Sequence, residues 1–461
     1  MLKSGAIWVL ASNAGGQVLR LFSNLILAWL LLPEDFGLAA LAAVFFYGAV
    51  MISDAGTDAS LIRSKRGDEP LFYNTAWTFQ LLRGLLLWLF CCLIALPASQ
   101  FYGEEQLQWL LVVGGFGLFV QGFKSTALVS MMRDMRFKRL AIYELIAQLC
   151  SIIVSVIAAW VWRDAMALVL GIIVNNFVLV VLGHVLHRSE VQNRLCWESD
   201  AFKELFHFGK WVFASSFVGF LAMQADKLLL GKIASMEVLG VYAVAFGLAQ
   251  LPNFVVKMLA SKFLYPVFVQ FAKKPREDLV REANKIRNMM LPFMLFVTLG
   301  VVLLSGPFFV YLYKASFHDA VWIAPAIALF LWFEMMVYSL GGIPLAMGDS
   351  RALATTWLYI FIVRLLASYL GFLNFDLEGF IAGLALGSFV GYVYIAIYIK
   401  KYGFYVLKYD AKYSLVLIIA SASYFIVKPW VEEGLSSALL SIAFVALSAL
   451  ISIQMFQRRQ K

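Results

Sequence analysis

Charge is scarce in this 461-residue sequence: 14% of the residues are Asp, Glu, Lys or Arg, whereas 62% are hydrophobic. Soluble domains are usually about 25% charged and about 45–50% apolar, so this composition excludes a soluble globular protein. Only four cysteines occur, without metal-ligand spacing, and they indicate neither a disulfide framework nor a metal site. Walker, zincin and nucleophile-elbow sequences are also absent, so we expect neither a cofactor nor catalytic residues.

Long polar connections are lacking as well, and apolar segments of membrane length fill the chain. We predict an all-α polytopic membrane protein with fourteen transmembrane helices, or twelve as the alternative, because the thirteenth is short. The start, "MLKSGAIWVL", lacks a small-x-small cleavage site, and we expect it to remain as part of the first helix. The predicted spans are 6–31, 36–54, 74–96, 107–130, 140–162, 166–187, 208–233, 238–264, 287–312, 321–347, 353–373, 378–399, 413–428 and 436–456.

The basic residues orient these helices. With both termini in the cytoplasm, the inner segments hold 26 Lys and Arg and the outer connections hold 4, when Lys210 and Arg287 at helix ends are counted as inner and Lys232 and Lys428 as outer. This bias follows the positive-inside rule, so the net charge of +9 indicates cytoplasmic loops and not a nucleic-acid partner. The outer connections are short, which leaves little room for an enzyme site at the outer face.

The first and seventh helices are similar when the chain is compared with itself at an offset of 203 residues. Residues 8–42 and 211–245 then share eleven identities, including Trp8/Trp211, Glu34/Glu237 and Gly37/Gly240. Both copies begin on the cytoplasmic side, which predicts two six-helix lobes in a parallel pseudo-two-fold repeat around a central cationic cavity. The predicted domains are an N-lobe at 1–200, a C-lobe at 201–400, and a C-terminal helix pair with a basic tail at 401–461.

A polar stripe crosses the otherwise apolar first helix. Asn13, Gln17, Arg20 and Asn24 are spaced i, i+4, i+7 and i+11, which places them on one helical face. Arg20 is near the middle of this span, where an ionised side chain costs several kcal/mol unless water, a partner or a ligand reaches it. We therefore predict that this face lines a cavity.

The seventh and eighth helices carry similar polar residues. Gln250, Asn253 and Lys257 share a face of the eighth helix, and Lys227 is on the seventh helix. Together with the first helix they predict a cationic cavity formed mainly by helices 1, 2, 7 and 8. Such a cavity suits an anionic headgroup, because a guanidinium group donates two parallel hydrogen bonds to the oxygens of a phosphate.

Acidic residues within the predicted helices are fewer. Asp54, Asp226 and Glu334 are the candidates for binding a coupling proton or sodium ion. For Glu334 a structural alternative stays open, because Arg364 on the eleventh helix is an equally good candidate for its ion-pair partner.

Four segments resemble one family of transporters: "LLLPEDFGLAALA" (30–42), "ISDAGTDASLIR" (52–63), "MQADKLLLGKIASMEVLGVYAVAFGLAQLP" (223–252) and "IPLAMGDSRA" (343–352). They look like the polysaccharide flippases (Wzx-type) of the multidrug/oligosaccharidyl-lipid/polysaccharide exporter superfamily. The resemblance covers most of the chain and is weakest in the last two helices. It does not identify the glycan.

The resemblance implies that an undecaprenyl-pyrophosphate-linked oligosaccharide crosses the bacterial inner membrane by alternating access. The cargo would be a repeat unit of an exopolysaccharide, O-antigen or capsule. Arg20, Lys257 and Lys227 would hold the pyrophosphate, and the polyprenyl tail would leave the cavity into the membrane lipids. A polysaccharide polymerase and a chain-length regulator are the expected partners.

Two alternatives stay open from the sequence. A multidrug or cation antiporter of the same superfamily would prefer an acidic cavity, against the observed basic residues. A membrane glycan-processing enzyme would use Glu34 and Asp35 in the first outer connection. A simpler reading of "PEDFG" (33–37) is a turn in which Pro33 ends one helix and Gly37 opens the next.

Overall fold

The structure, a computed structural model, describes residues 2–53, 57, 61, 66, 69–186, 192–272, 275–427, 441, 443 and 444. Helices dominate these ranges, which contain no strand, so the predicted all-α membrane fold is confirmed. The chain forms two compact units, Met1–Gly240 (unit 1) and Val241–Lys461 (unit 2). The lobe boundary at 200/201 and the pseudo-two-fold repeat stay predictions.

Fifteen α-helices are described. In unit 1 they are α1 (Leu2–Leu30), α2 (Pro33–Ile52), α3 (Pro70–Tyr102), α4 (Glu105–Gly122), α5 (Ala127–Arg133), α6 (Phe137–Trp162), α7 (Met166–Val185) and α8 (Ser199–Ile233). The next helix, α9 (Met236–Ala249), contains the unit boundary. In unit 2 they are α10 (Leu251–Leu259), α11 (Tyr265–Phe271), α12 (Arg276–Leu312), α13 (Ala320–Ala346), α14 (Ser350–Tyr398) and α15 (Leu407–Val427).

The described helices make this a multi-pass membrane protein. Within the described ranges, eight helical segments are long and apolar enough to cross a membrane. The number is nine if α4 and α5, which meet at a bend of 62°, form one broken span. The count of fourteen stays a prediction, and its last span, 436–456, falls almost wholly outside the described residues.

The first turn of α2 explains the "PEDFG" sequence. Pro33 is at the helix start, where its missing N–H costs nothing. The Asp35 carboxylate accepts a hydrogen bond from the Leu32 backbone N–H at 2.9 Å, and Glu34 adds a second negative charge to the first turn. Both negative charges interact favourably with the positive, N-terminal end of the helix dipole. A break between two helices is present, but it lies at Leu31 and Leu32. Pro33 opens α2 and Gly37 lies inside it, so the roles predicted for these two residues are wrong.

The starts of α2 and α9 pack backbone against backbone. A Cβ on Gly37 would be 2.0 Å from the Met236 carbonyl oxygen, and a Cβ on Gly240 would be 1.7 Å from the Pro33 carbonyl oxygen. Only glycine permits this approach. The contact is reciprocal, because Gly37 and Gly240, and likewise Pro33 and Met236, are paired at the 203-residue offset.

In unit 2, α14 is a helical hairpin that contains the predicted eleventh and twelfth spans. Its helical path breaks at Phe375 and Asp376, where φ of Asp376 is +48°. The arms, residues 350–374 and 377–398, then pack through glycines spaced four apart: Gly379, Gly383, Gly387 and Gly391. A Cβ on Gly383 would be 2.3 Å from the Ser368 backbone nitrogen. Small residues at this spacing bring membrane helices into close contact.

Asp349, in the turn before α14, joins the two ends of the hairpin that lie away from the break. Its Oδ2 accepts hydrogen bonds from the Lys401 ammonium at 2.7 Å and from the hydroxyls of Tyr398 and Tyr402 at 2.7 and 2.8 Å. These donors stabilise the carboxylate and hold the pKa of Asp349 well below its ordinary range, with Lys401 as the largest cause.

A buried polar network attaches α15 to the rest of unit 2. Arg287 of α12 pairs with Asp410 of α15 and donates to the Ser339 hydroxyl at 2.8 Å. The Tyr392 hydroxyl donates to the same Asp410 oxygen at 2.7 Å. Arg287 and Asp410 are 8% and 0% exposed, so each charge depends on the other for its solvation.

The glycine packing predicts a contrast between two helix-interior substitutions. Gly383→Ala should destabilise the protein by about 1–3 kcal/mol, because the new methyl group meets backbone that must move apart. Gly300→Ala is the matched control, since no atom is within 4 Å of its new Cβ. It should be neutral or stabilising by up to about 1 kcal/mol. Thermal unfolding of the purified protein measures both, and equal effects would contradict the hairpin contact.

The Asp349 contacts predict a pH dependence. A carboxyl whose pKa is lowered on folding stabilises the protein above its unfolded pKa of about 3.9 and loses that contribution as the pH falls towards the folded pKa. Asp349→Asn should therefore lower the melting temperature by a constant amount between pH 5 and 8. The difference from the wild type should shrink only below about pH 4. A gap that closes already at pH 6 would refute this assignment.

Candidate functional site

Unit 1 contains a polar cavity of about 480 Å³ between α1, α6 and α7. Arg20, Ser23 and Asn24 line it from α1, and Asn175 and Asn176 line it from α7. Two members of the predicted α1 stripe thus open onto one cavity within this unit. The other two, Asn13 and Gln17, are half-buried on α1 and lie outside the lining of this cavity.

Helix α6 supplies a wall that the sequence reasoning missed. Glu144, Gln148, Ser151 and Ser155 line the cavity and are spaced i, i+4, i+7 and i+11, the same spacing as the α1 stripe. The adjacent pair "NN" in apolar α7 is the second missed signal. The spacing of the α6 residues and the adjacent asparagines of α7 are both visible in the sequence, but neither shows that α6 and α7 are neighbours of α1.

Hydrogen bonds to backbone carbonyls fix this wall. Gln148 donates to the Gly16 carbonyl of α1 at 2.7 Å, and Ser151 donates to a carbonyl of α7 at 2.7 Å. Asn176 donates to the Gly117 carbonyl of α4 at 3.1 Å. These three bonds join α1, α4, α6 and α7 around the cavity.

Five polar side chains on the cavity are left for a ligand or for water. They have no hydrogen-bond partner among the residues that the structure describes: Arg20, Ser23, Asn24, Ser155 and Asn175. Arg20 is exposed, the two asparagines are half-buried and the two serines are buried. The cavity therefore presents one guanidinium, two amides and two hydroxyls with unused hydrogen-bonding capacity.

Unit 2 has a polar cluster centred on Glu334 of α13. Its carboxylate pairs with Arg364 of α14 at 2.6 Å and accepts longer hydrogen bonds from Asn253 of α10 and Tyr338 of α13, at 3.3 and 3.4 Å. Arg364 also donates to the Ser388 hydroxyl of the second hairpin arm at 2.6 Å. The side chains of the ion pair are 12% and 11% exposed. The pairing of Glu334 with Arg364, left open by the sequence, is present.

The cluster brings two further predicted residues together. The Lys257 ammonium is 5.4 Å from the ring centre of Tyr338, at the distance of a cation–π contact, and Tyr338 in turn contacts Glu334. Lys257 and Asn253 are one turn apart on α10, so both are near Glu334. Gln250 immediately precedes α10, at the break after α9.

The remaining predicted site residues are not in these two places. Lys227 of α8 donates to Gln224 on its own helix at 3.1 Å, and Asp226 is the adjacent residue. Neither lines the unit 1 cavity. Asp54 lies outside the described residues. In the described part of the chain, no three His, Cys, Asp or Glu side chains are grouped as a metal site requires.

Comparison with known proteins agrees with this architecture. The family model described as "Polysaccharide biosynthesis protein" matches residues 26–322, which is more than half of the chain. The chain is 22% identical over 315 residues to the succinoglycan biosynthesis transport protein ExoT of Rhizobium meliloti, covering 68% of this chain and 63% of that protein. It is 23% identical over 267 residues to the lipopolysaccharide biosynthesis protein WzxC of Escherichia coli, covering 58% and 54%. The matches thus span under two thirds of these relatives.

Solved structures share the fold. A lipid II flippase MurJ in an inward closed conformation superposes with a TM-score of 0.77 at 14% identity, covering 99% of both chains. A multidrug resistance MATE family transporter of the MOP superfamily gives 0.63 in its inward-facing conformation, at 14% identity, covering 84% of this chain and 95% of that one. The resemblance inferred from the sequence is confirmed: the chain belongs to the polysaccharide biosynthesis protein family and has the fold of the multidrug/oligosaccharidyl-lipid/polysaccharide exporters.

Proposed function

We propose that this protein is a flippase that moves an undecaprenyl-pyrophosphate-linked oligosaccharide across the membrane, with no bond made or broken. The observation that carries the proposal is Arg20, whose guanidinium opens onto a polar cavity from a membrane-length helix, with no hydrogen-bond partner among the described residues. A cation in this position needs water or an anion. A pyrophosphate offers oxygens that a guanidinium holds in pairs.

The predicted residues take the following roles in this proposal. Arg20, Lys227 and Lys257 hold the pyrophosphate. Amide side chains contact the remainder of the polar headgroup: Asn13, Gln17, Asn24, Gln250 and Asn253. The polyprenyl tail stays in the lipid, because transferring an apolar chain into a polar cavity is unfavourable.

The names of relatives and fold neighbours support this reading. One relative is named as a transport protein for succinoglycan biosynthesis, and the neighbour that matches over 99% of the chain is a lipid II flippase. A MATE transporter with this fold has been solved both inward-facing and outward-facing, with TM-scores of 0.63 and 0.55. Both states support alternating access as the mechanism.

A multidrug or cation antiporter is the second candidate, because the MATE neighbours are multidrug transporters. The basic character of Arg20 and Lys257 argues against a cationic substrate. The enzyme alternative is weakened, because the carboxylate of Asp35, one of its two candidate acids, accepts a hydrogen bond at the start of α2. A dye-efflux assay tests the antiporter, because only a multidrug exporter should expel the dye. Glycan export by the Glu34→Gln variant tests the enzyme, because a flippase should tolerate this substitution.

The cellular setting completes the proposal. We place the protein in the bacterial inner membrane with both termini in the cytoplasm, where the lipid-linked repeat unit of an exopolysaccharide, O-antigen or capsule would be received. A polysaccharide polymerase and a chain-length regulator would act on the unit after transfer.

Depleting the protein tests the proposal directly. Mass spectrometry of lipid-linked glycans should find one undecaprenyl-pyrophosphate oligosaccharide accumulating, and leaflet probes should place it on the cytoplasmic side. An unchanged pool of lipid-linked glycans would contradict the flippase function.

The arginine supplies the sharpest variant. Arg20→Ala should reduce glycan export at least about tenfold, the effect of losing roughly 1.4 kcal/mol of binding, and Arg20→Lys should retain part of it, because lysine keeps the charge without the paired geometry. Arg281→Ala, at an exposed residue paired with Asp278, is the control and should export normally. Normal export by Arg20→Ala, at normal protein level, would exclude the proposed role.

Asp54, Asp226 and Glu334 are the proposed sites for ion coupling. Glu334→Gln alone removes the carboxylate that pairs with Arg364, and removing one partner of a buried ion pair costs about 3–5 kcal/mol. The double variant Glu334→Gln/Arg364→Gln removes both charges and should fold better than either single variant. If Glu334 couples transport to protons, export by the double variant should no longer respond to collapse of the proton gradient. An unchanged response would eliminate Glu334.

A further inference from the structure

The unit 1 cavity has the chemistry of a sugar site. Its lining combines side-chain amides and hydroxyls, which donate and accept hydrogen bonds, with the apolar groups Ile152, Ile172 and Leu179. A pyranose ring presents the matching surface, because its hydroxyls both donate and accept and its C–H faces are apolar. Each hydroxyl that leaves water needs such a partner.

The size of the cavity limits what it can hold. A volume of 480 Å³ falls within the range of about 300–1,000 Å³ found for small-molecule pockets. One or two sugar rings fit into this space.

Some side chains of the cavity connect the helices, and others are available to bind a ligand. Gln148 and Asn176 are engaged with backbone carbonyls and hold the helices in place. Asn24 and Asn175 lie on opposite helices, α1 and α7, with their amides uncommitted among the described residues. A rigid wall with a few uncommitted polar groups is the arrangement that favours selective binding.

Arg20 makes one part of the cavity cationic, next to a part that is polar and neutral. It precedes Asn24 by four residues, so the two are neighbours on one face of α1, about 6 Å apart along the helix axis. A ligand that binds both would place an anionic group beside a polar neutral one. A sugar esterified to a phosphate has this order of groups.

We propose that this cavity binds the sugar attached directly to the pyrophosphate of the lipid-linked glycan, and that Asn24 and Asn175 select that sugar. The inference rests on the proposed flippase function and deepens it. The remaining sugars of the repeat unit extend beyond the cavity, so selection acts on the first sugar. A metal ion beside Glu144 is disfavoured, because the Arg20 guanidinium lines the same cavity and repels cations.

Three lipid probes test the proposal on the full-length protein in nanodiscs. They are undecaprenyl pyrophosphate, the lipid-linked glycan recovered from depleted cells, and that glycan trimmed enzymatically to its first sugar. We expect the wild type to bind the one-sugar lipid at least tenfold more tightly than the sugar-free lipid. Native mass spectrometry measures both affinities.

The variants isolate the first sugar. Asn175→Leu and Asn24→Leu keep the branched side-chain shape and its four heavy atoms but lose the amide, and each should cut the one-sugar preference to under threefold. Affinity for the sugar-free lipid should stay within twofold. Asn374→Leu, at an exposed asparagine outside the cavity, should keep the full preference. The two test residues are on different helices, and a variant is scored only if it is monodisperse and its melting temperature is close to that of the wild type.

The outcomes separate this inference from the proposed function. A wild type that binds all three lipids equally, or leucine variants that keep the tenfold preference, would overturn the sugar site and leave the flippase standing. Stabilisation by sodium ions that Glu144→Gln abolishes, without any sugar preference, would replace it with a cation site. If depletion causes no lipid-linked glycan to accumulate and the protein does not bind undecaprenyl pyrophosphate, both the flippase function and the sugar site are overturned.

Discussion

A charged side chain within the apolar helices of this protein must meet a partner or reach water, because an ion among apolar helices is costly. Unit 2 meets this cost by pairing Arg364 with Glu334 and Arg287 with Asp410. Unit 1 leaves Arg20 on a polar cavity, without a partner in the described chain. The ion pairs of unit 2 hold its helices together, whereas the cavity of unit 1 keeps a cation available for a ligand.

Much of this architecture follows from the sequence. Hydropathy predicts the all-α membrane fold, since a membrane-length apolar run leaves few other structures. The spacing of residues on α1 predicts that Arg20 and Asn24 face the same way, because helical periodicity fixes it. The ion pair between Glu334 and Arg364 was one of two open readings, since it depends on which helices are neighbours.

The sequence does not show which helices pack against each other. The polar stripe of α6 is as regular as that of α1, yet only packing shows that Glu144 and Gln148 share a cavity with Arg20. The glycines of α14 are visible in the sequence at intervals of four. Their role depends on the break at Phe375 and Asp376, which returns the second arm onto the first. The break falls between the predicted spans 353–373 and 378–399, so hydropathy indicates where it lies but not which residues of the two arms come into contact.

The buried network at Arg287 has a consequence for the order of synthesis. Its partner, Asp410, comes 123 residues later in the chain. At translation rates of about 5–20 residues per second, the arginine waits about 6–25 s for its counter-charge. Arg364 differs, because α13 with Glu334 precedes it and has already been made. Helix α12 therefore reaches its final burial only after α15 has been made.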